Sequence, residues 1–156
     1  VYSEEDLRLH LDRAAIQAVL VRYVNANGAD DFDGMAACFA EDGGMEGGQS
    51  GGRAALRERF STIRPRSCVM WSVDKIVKTQ HLLTNVEIDV QKDDATSFCG
   101  ATTYVLAERA GEPLVIVRGI TYTDTFVRSE DEGWLIKNRT HDLIWSYETP
   151  ALTGVH

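Results

Sequence analysis

A chain of 156 residues, 44% of them hydrophobic, has room for one domain with a sizeable core. Its 24 acidic and 16 basic residues leave a formal net charge of −8, which would repel a nucleic-acid duplex or an anionic membrane, so neither is an expected partner. Cys38, Cys68 and Cys99 are widely spaced and form no CxxC pair, which argues against a disulfide framework or zinc knuckle and for free thiols in a reducing, cytoplasmic setting. No stretch approaches the roughly 18 apolar residues of a membrane span. The charged opening VYSEEDLRLHLDR has no apolar leader core.

In chain order, Ala15, Ile16, Val19, Leu20 and Tyr23 recur at helical spacing and predict an amphipathic helix over residues 11–27, with Asp12 as an early-turn acid and Asn27-Gly28 as its stop. Asp31 is placed to cap a short second helix over residues 32–39. Six glycines between Asp42 and Gly52 read as turns around a short strand at Met45 and Glu46. A third helix over residues 53–63 is expected to end before Pro65. Residues 65–77 have no clear period and fit either a short helix or a lid. Four β-rich runs follow, over residues 78–90, 96–109, 114–128 and 134–147, separated by Lys92-Asp93-Asp94, Gly111-Glu112-Pro113 and Glu130-Asp131-Glu132-Gly133. Helices first and long antiparallel strands afterwards indicate an α+β fold in a single domain, with no repeat and no linker.

Few residues carry obvious chemistry. There is no phosphate loop, GxGxxG, GxSxG or HExxH, and no metal-ligand spacing, so neither a cofactor nor a metal is expected. Neutral His81 can accept a proton near pH 7. Strand alternation nevertheless puts it with Leu83, Asn85, Glu87 and Asp89, a mostly polar face. It therefore reads as a structural histidine unless a bulge or strand curvature turns it inward. Arg118, Ile120, Tyr122, Asp124 and Phe126 share one strand face. If that face points inward, Arg118 and Asp124 need partners. Asp124 is taken as a flanking charge near solvent, while Arg118 stays open between an anion-binding role and a strand-end position. Val69, Met70 and Trp71 line a pocket mouth or, more simply, pack in the core. Tyr23 is either a polar group for a pocket or an aromatic packing residue. His141 shares parity with Arg139 and Leu143 and is a secondary site candidate. His10 and His156 lie near the termini and are read as inert.

Residues 12–26 (DRAAIQAVLVRYVNA), 31–43 (DFDGMAACFAEDG), 51–60 (GGRAALRERF), 81–90 (HLLTNVEIDV), 122–128 (YTDTFVR) and 133–139 (GWLIKNR) follow one another as in the SnoaL-like family of the nuclear transport factor 2-like superfamily, which the chain resembles over residues 12–147. The resemblance implies a curved antiparallel sheet with three N-terminal helices forming a cone-shaped, largely apolar pocket. It implies a homodimer or homotrimer, and a hydrophobic small-molecule substrate. His81 would be the proton-transfer residue, with Tyr23 and Arg118 as further catalytic groups. Gly28 stands where relatives place an aspartate that orients the histidine, so Asp30 or Asp31 would have to substitute. Substrate contacts would come from Trp71, Tyr122, Ile120, Met70 and His141. The implied function is a cofactor-independent lyase or isomerase of dehydratase or cyclase type, in secondary or catabolic metabolism. An epoxide hydrolase on the same fold and a non-catalytic binding module are the alternatives, the latter favoured by Gly28.

Overall fold

The computed structural model describes residues 2–45 and 51–151; Glu46 and His156, named above, lie outside the described residues. Helix α1 spans Glu4–Gly28. Its start is set by a capping box: the Asp6 amide donates to Ser3 Oγ at 3.1 Å and the Ser3 amide donates to the Asp6 carboxylate at 2.9 Å. Leu7 and Leu11 are exposed, so the first two turns add nothing to the apolar stripe on which the sequence reading depended. Of the expected stripe, Ile16, Val19, Leu20 and Tyr23 are buried, joined by Val24, while Ala15 is exposed. The buried residues pack against Met35, Phe39, Leu56, Phe60, Phe126, Trp134 and Ile136 in the main core. Each such side chain contributes roughly 1.5–3 kcal/mol on burial.

Helix α2 is Phe32–Ala36, strand β1 is Phe39–Met45, and helix α3 is Gly52–Ser61. A fourth helix, α4, occupies Ile63–Trp71. Pro65 falls in its first turn, where a missing N–H costs no helical hydrogen bond, so this proline sits inside a helix start as well as beyond α3. Val69 and Met70 are largely exposed, which corrects their core-packing reading, whereas Trp71 is partly buried against Val73, Val105, Ala107, Leu114 and Ile116.

Strands β2 (Lys75–Gln91), β3 (Asp94–Arg109), β4 (Glu112–Ser129) and β5 (Gly133–Pro150) form an antiparallel meander. The sheet order is β1-β5-β4-β3-β2. β1 runs parallel to β5, so the sheet is mixed and open rather than purely antiparallel. The long chain path between β1 and β5 permits that pairing, which a hairpin would not. The three expected helices are four among the described residues. Positive φ at Lys92, Ala110, Gly111 and Gly133 marks the meander turns.

Two features position the site. Asp12 of α1 accepts from Arg128 Nη2 at 2.6 Å and Trp134 Nε1 at 3.1 Å, fastening the helix to the β4–β5 hairpin. The β2–β3 register shifts between Thr84 and Glu87, where Asn85 has φ +50°. Before this bulge Thr79, His81 and Leu83 are more covered than their neighbours; after it Val86, Ile88 and Val90 are. The inward parity of β2 therefore changes at Asn85, and His81 faces the helices although the simple alternation put it with Glu87 and Asp89. All three cysteines are free thiols, with Cys38 and Cys99 buried.

Candidate functional site

His81, Thr103 and Arg118 are direct neighbours across β2, β3 and β4: His81 pairs with Thr103, and Thr103 with Arg118. Opposite residues on antiparallel strands project to one face, and all three line a cavity of about 250 Å³ between the sheet and the helices. Each member of the row has a buried polar atom without a hydrogen-bond partner: His81 Nδ1, Thr103 Oγ1 and Arg118 Nε. Buried polar atoms are normally satisfied, so three in one row mark a place built for something other than the protein's own groups.

The walls come from several elements. Tyr23 enters from α1, and Ile120 and Tyr122 from β4. His141, on β5, lies with its ring centroid 5.5 Å from that of Tyr122. Helix α4 contributes Arg64, Met70 and Trp71. Its C-terminal end is tied down by Arg109, which donates to the Trp71 and Ser72 carbonyls at 2.9 and 3.0 Å while gripping Glu148 through both terminal nitrogens. This holds the Trp71 ring 5.3 Å from the Arg118 guanidinium carbon.

Beneath the cavity, Arg139 lies 4.3 Å from the ring centroids of both Tyr23 and Tyr122 and is bound by Asp124. Burial opposes the Arg139 charge, and the Asp124 carboxylate more than offsets this, keeping its pKa above the usual arginine value. Both charges are fully buried, which corrects the placement of Asp124 near solvent. Burial raises the pKa of the Tyr23 and Tyr122 hydroxyls.

His81 is half-buried, and its pKa is lowered to about 4 by that burial and then by the charges of Arg64, Arg118, His141 and Arg139. It is therefore a neutral imidazole at pH 7. The tautomer is set by whatever meets Nδ1. Burial also pulls the Arg118 pKa below the usual arginine value.

The residues expected from sequence, His81, Tyr23, Arg118, Trp71, Tyr122, Ile120, Met70 and His141, converge on this one cavity. Asp31 does not. It is exposed, its carboxylate caps α2 by accepting from the Gly34 amide at 2.8 Å, and it borders a groove on the outer flank of α1. Its capping role holds it away from His81, so it cannot serve as the orienting acid. Asp30 instead pairs with Arg64 Nε at 2.6 Å, and Arg64 also donates to the Asn27 carbonyl and the Thr79 hydroxyl. No aspartate or glutamate lines the cavity among the described residues. Nor, among them, is any group of three or more His, Cys, Asp or Glu placed to hold a metal ion.

The SnoaL-like domain pattern matches residues 8–140. The chain belongs to the SnoaL-like family. Solved structures similar to this SnoaL-like domain include a candidate scytalone dehydratase from Novosphingobium aromaticivorans, 18% identical with a TM-score of 0.69 over 90% of this chain and 89% of that one. LinA is 19% identical with a TM-score of 0.65, over 94% and 96% of the two chains. ActVI-ORFA from Streptomyces coelicolor is 20% identical with a TM-score of 0.59, over 87% and 95%. At these identities the likeness is one of fold. No curated protein matches the chain. Within this SnoaL-like domain, Gly28 closes α1 directly against β2: a Cβ there would lie 3.0 Å from the Thr79 carbonyl oxygen. Backbone contact occupies the space through which a side chain at this position would leave the helix.

Thr103, Arg64 and the Arg59 and Arg66 side chains of the lining were not singled out from sequence. Thr103 becomes visible only through strand register. Arg64 lies where no helical period marks the segment.

Proposed function

We propose that this SnoaL-like domain is a lyase or isomerase of dehydratase or cyclase type, acting on a small molecule with an apolar body and moving a proton through His81 without a bound cofactor. The observation that carries this reading is a neutral imidazole with an unpartnered buried nitrogen, facing a cavity walled by Tyr23, Tyr122, Trp71 and Arg118. His81 would take the proton from a carbon next to an activating carbonyl. Arg118 and the tyrosine hydroxyls would face the oxygen on which negative charge gathers. In an isomerisation the imidazolium returns that proton to another carbon. In a dehydration the proton lost from carbon goes to the departing hydroxide, and water leaves.

The test is deuterium incorporation from solvent into an enolisable ligand, read by mass spectrometry. Replacing His81→Ala is expected to slow exchange at least ~100-fold, a typical general-base contribution. Exchange unchanged in that variant would sink the assignment. A second reading, a non-catalytic binding module, draws on Gly28 and the missing carboxylate, and predicts saturable ligand binding with no exchange above the solvent rate. An epoxide hydrolase needs a carboxylate-held water, and the described lining supplies no carboxylate for it.

The same family reading includes self-association through the sheet. The outer face of β5 exposes Trp145 and Tyr147, their rings stacked at 6.0 Å.

A further inference from the structure

We infer that the cavity takes an organic monoanion, a carboxylate or equivalent oxyanion carried on an apolar ring system, with the charged end seated on the His81–Thr103–Arg118 row. The inference accepts the cavity identified above as the ligand site, but it does not depend on His81 being catalytic.

The charge inventory is lopsided. A chain of net charge −8 lines its cavity with Arg59, Arg64, Arg66 and Arg118 and, among the described residues, with no acid. Arg64 is answered by Asp30, and Arg139 beneath the cavity by Asp124. Arg118 meets no carboxylate among the described residues; its charge rests against the Trp71 ring, and its Nε–H is buried without an acceptor. A desolvated guanidinium with an idle donor is costly unless an anion completes it. The adjacent Thr103 hydroxyl is idle too and is close enough across the strand pair to serve the same group.

The idle Arg118 Nε–H on the row calls for an oxyanion oxygen there, which a carboxylate or phenolate supplies. The rest of the lining, Phe60, Ile63, Val105, Ile120 and Trp71, is apolar and suits rings. A carboxylate seated here would also put a negative charge beside His81, where the described residues place none. The groups facing the imidazole are otherwise cationic or neutral: Arg64 from α4, Arg118 from β4, His141 and Arg139 from β5, and Tyr23 from α1. The ligand would itself supply the charge that makes His81 a stronger base.

The experiment titrates the full chain with naphthoate and with its uncharged isostere naphthamide at neutral pH, by calorimetry. The acid is expected to bind at least about tenfold tighter, the scale of one charge-assisted hydrogen bond. Arg118→Met is expected to bring the naphthoate affinity down to that of naphthamide in the same variant, and Arg118→Lys to keep part of the preference, with thermal melts confirming that both variants fold. Naphthoate, but not naphthamide, is expected to raise the His81 pKa followed by NMR. Equal affinities, no saturable naphthoate binding at millimolar concentration, or a preference that survives in a folded Arg118→Met protein would overturn the inference. Acid preference without His81-dependent exchange leaves the inference standing and removes the catalytic proposal. His81-dependent exchange without acid preference does the reverse.

Discussion

Asp124 and Arg139 face each other across β4 and β5 and grip one another through two contacts of 2.7 Å, with both side chains out of reach of solvent. The pair joins the tyrosines of the cavity to the core beneath, because Arg139 is stacked against Tyr23 and Tyr122. Removing one partner leaves the other charge buried alone. Asp124→Asn is expected to cost about 3–5 kcal/mol in urea unfolding. Replacing both at once, Asp124→Leu with Arg139→Met, should cost less than the single change, since no stranded charge remains. A loss below about 1 kcal/mol in the single variant would mean that water reaches the pair.

His81 gives the protein a specific acid sensitivity. Its folded pKa of about 4 lies below the ordinary histidine value of 6.5. The unfolded chain therefore binds the extra proton first as pH falls. The stability this neutral histidine contributes is full above about 6.5 and is lost progressively down to about 4. His81→Gln, which cannot titrate, should flatten the dependence of melting temperature on pH in that window. An identical slope in the variant would show that the imidazole is not desolvated.

Asp12 acts in the same sense, at lower pH. The Arg128 hydrogen bond is the main cause that lowers its pKa below the ordinary aspartate value of 3.8, with burial opposing it. Its stabilising contribution is present above that value and is lost as pH falls through the lower folded pKa. Asp12→Ala breaks the contacts to both Arg128 and Trp134 and should cost about 2–3 kcal/mol at neutral pH, measured by denaturant unfolding. The Trp134 fluorescence should shift in the same variant.

The exposed aromatic face of β5 predicts an assembly. Trp145 rests on Gly119, where a Cβ would come within 2.2 Å of the indole. Light scattering of the wild-type chain is expected to give a dimer or trimer, and Trp145→Glu to lower that mass. A monomeric wild type at micromolar concentration would remove the assembly proposal.

Much of the fold was legible because its signals are local. The α1 stripe and the four turn-bounded β runs follow directly from periodicity and turn chemistry. Helix α4 stayed open between a short helix and a lid because its residues are only partly covered: Ile63, Cys68 and Trp71 pack against the core while Val69 and Met70 are exposed. The parallel β1–β5 pairing is long-range and has no local signature. At the site, Asp31 followed its local chemistry as a cap. Asp124 was misplaced because its partner Arg139 is brought opposite it only by the β4–β5 register. Thr103 was missed for the same reason: its position between His81 and Arg118 depends on where two hairpins and one bulge set the strands.

The bulge at Asn85 also separates two kinds of tolerance within one strand. Val86, Ile88 and Val90 pack against the main core, so changes there are felt as folding defects. Thr79 and His81 lie on the other side of the shifted register, facing the cavity. A substitution at His81 changes the chemistry that half of the strand offers to the cavity. Deleting one residue at the bulge would exchange His81 for a neighbour at the cavity wall, a change of chemistry made by geometry alone.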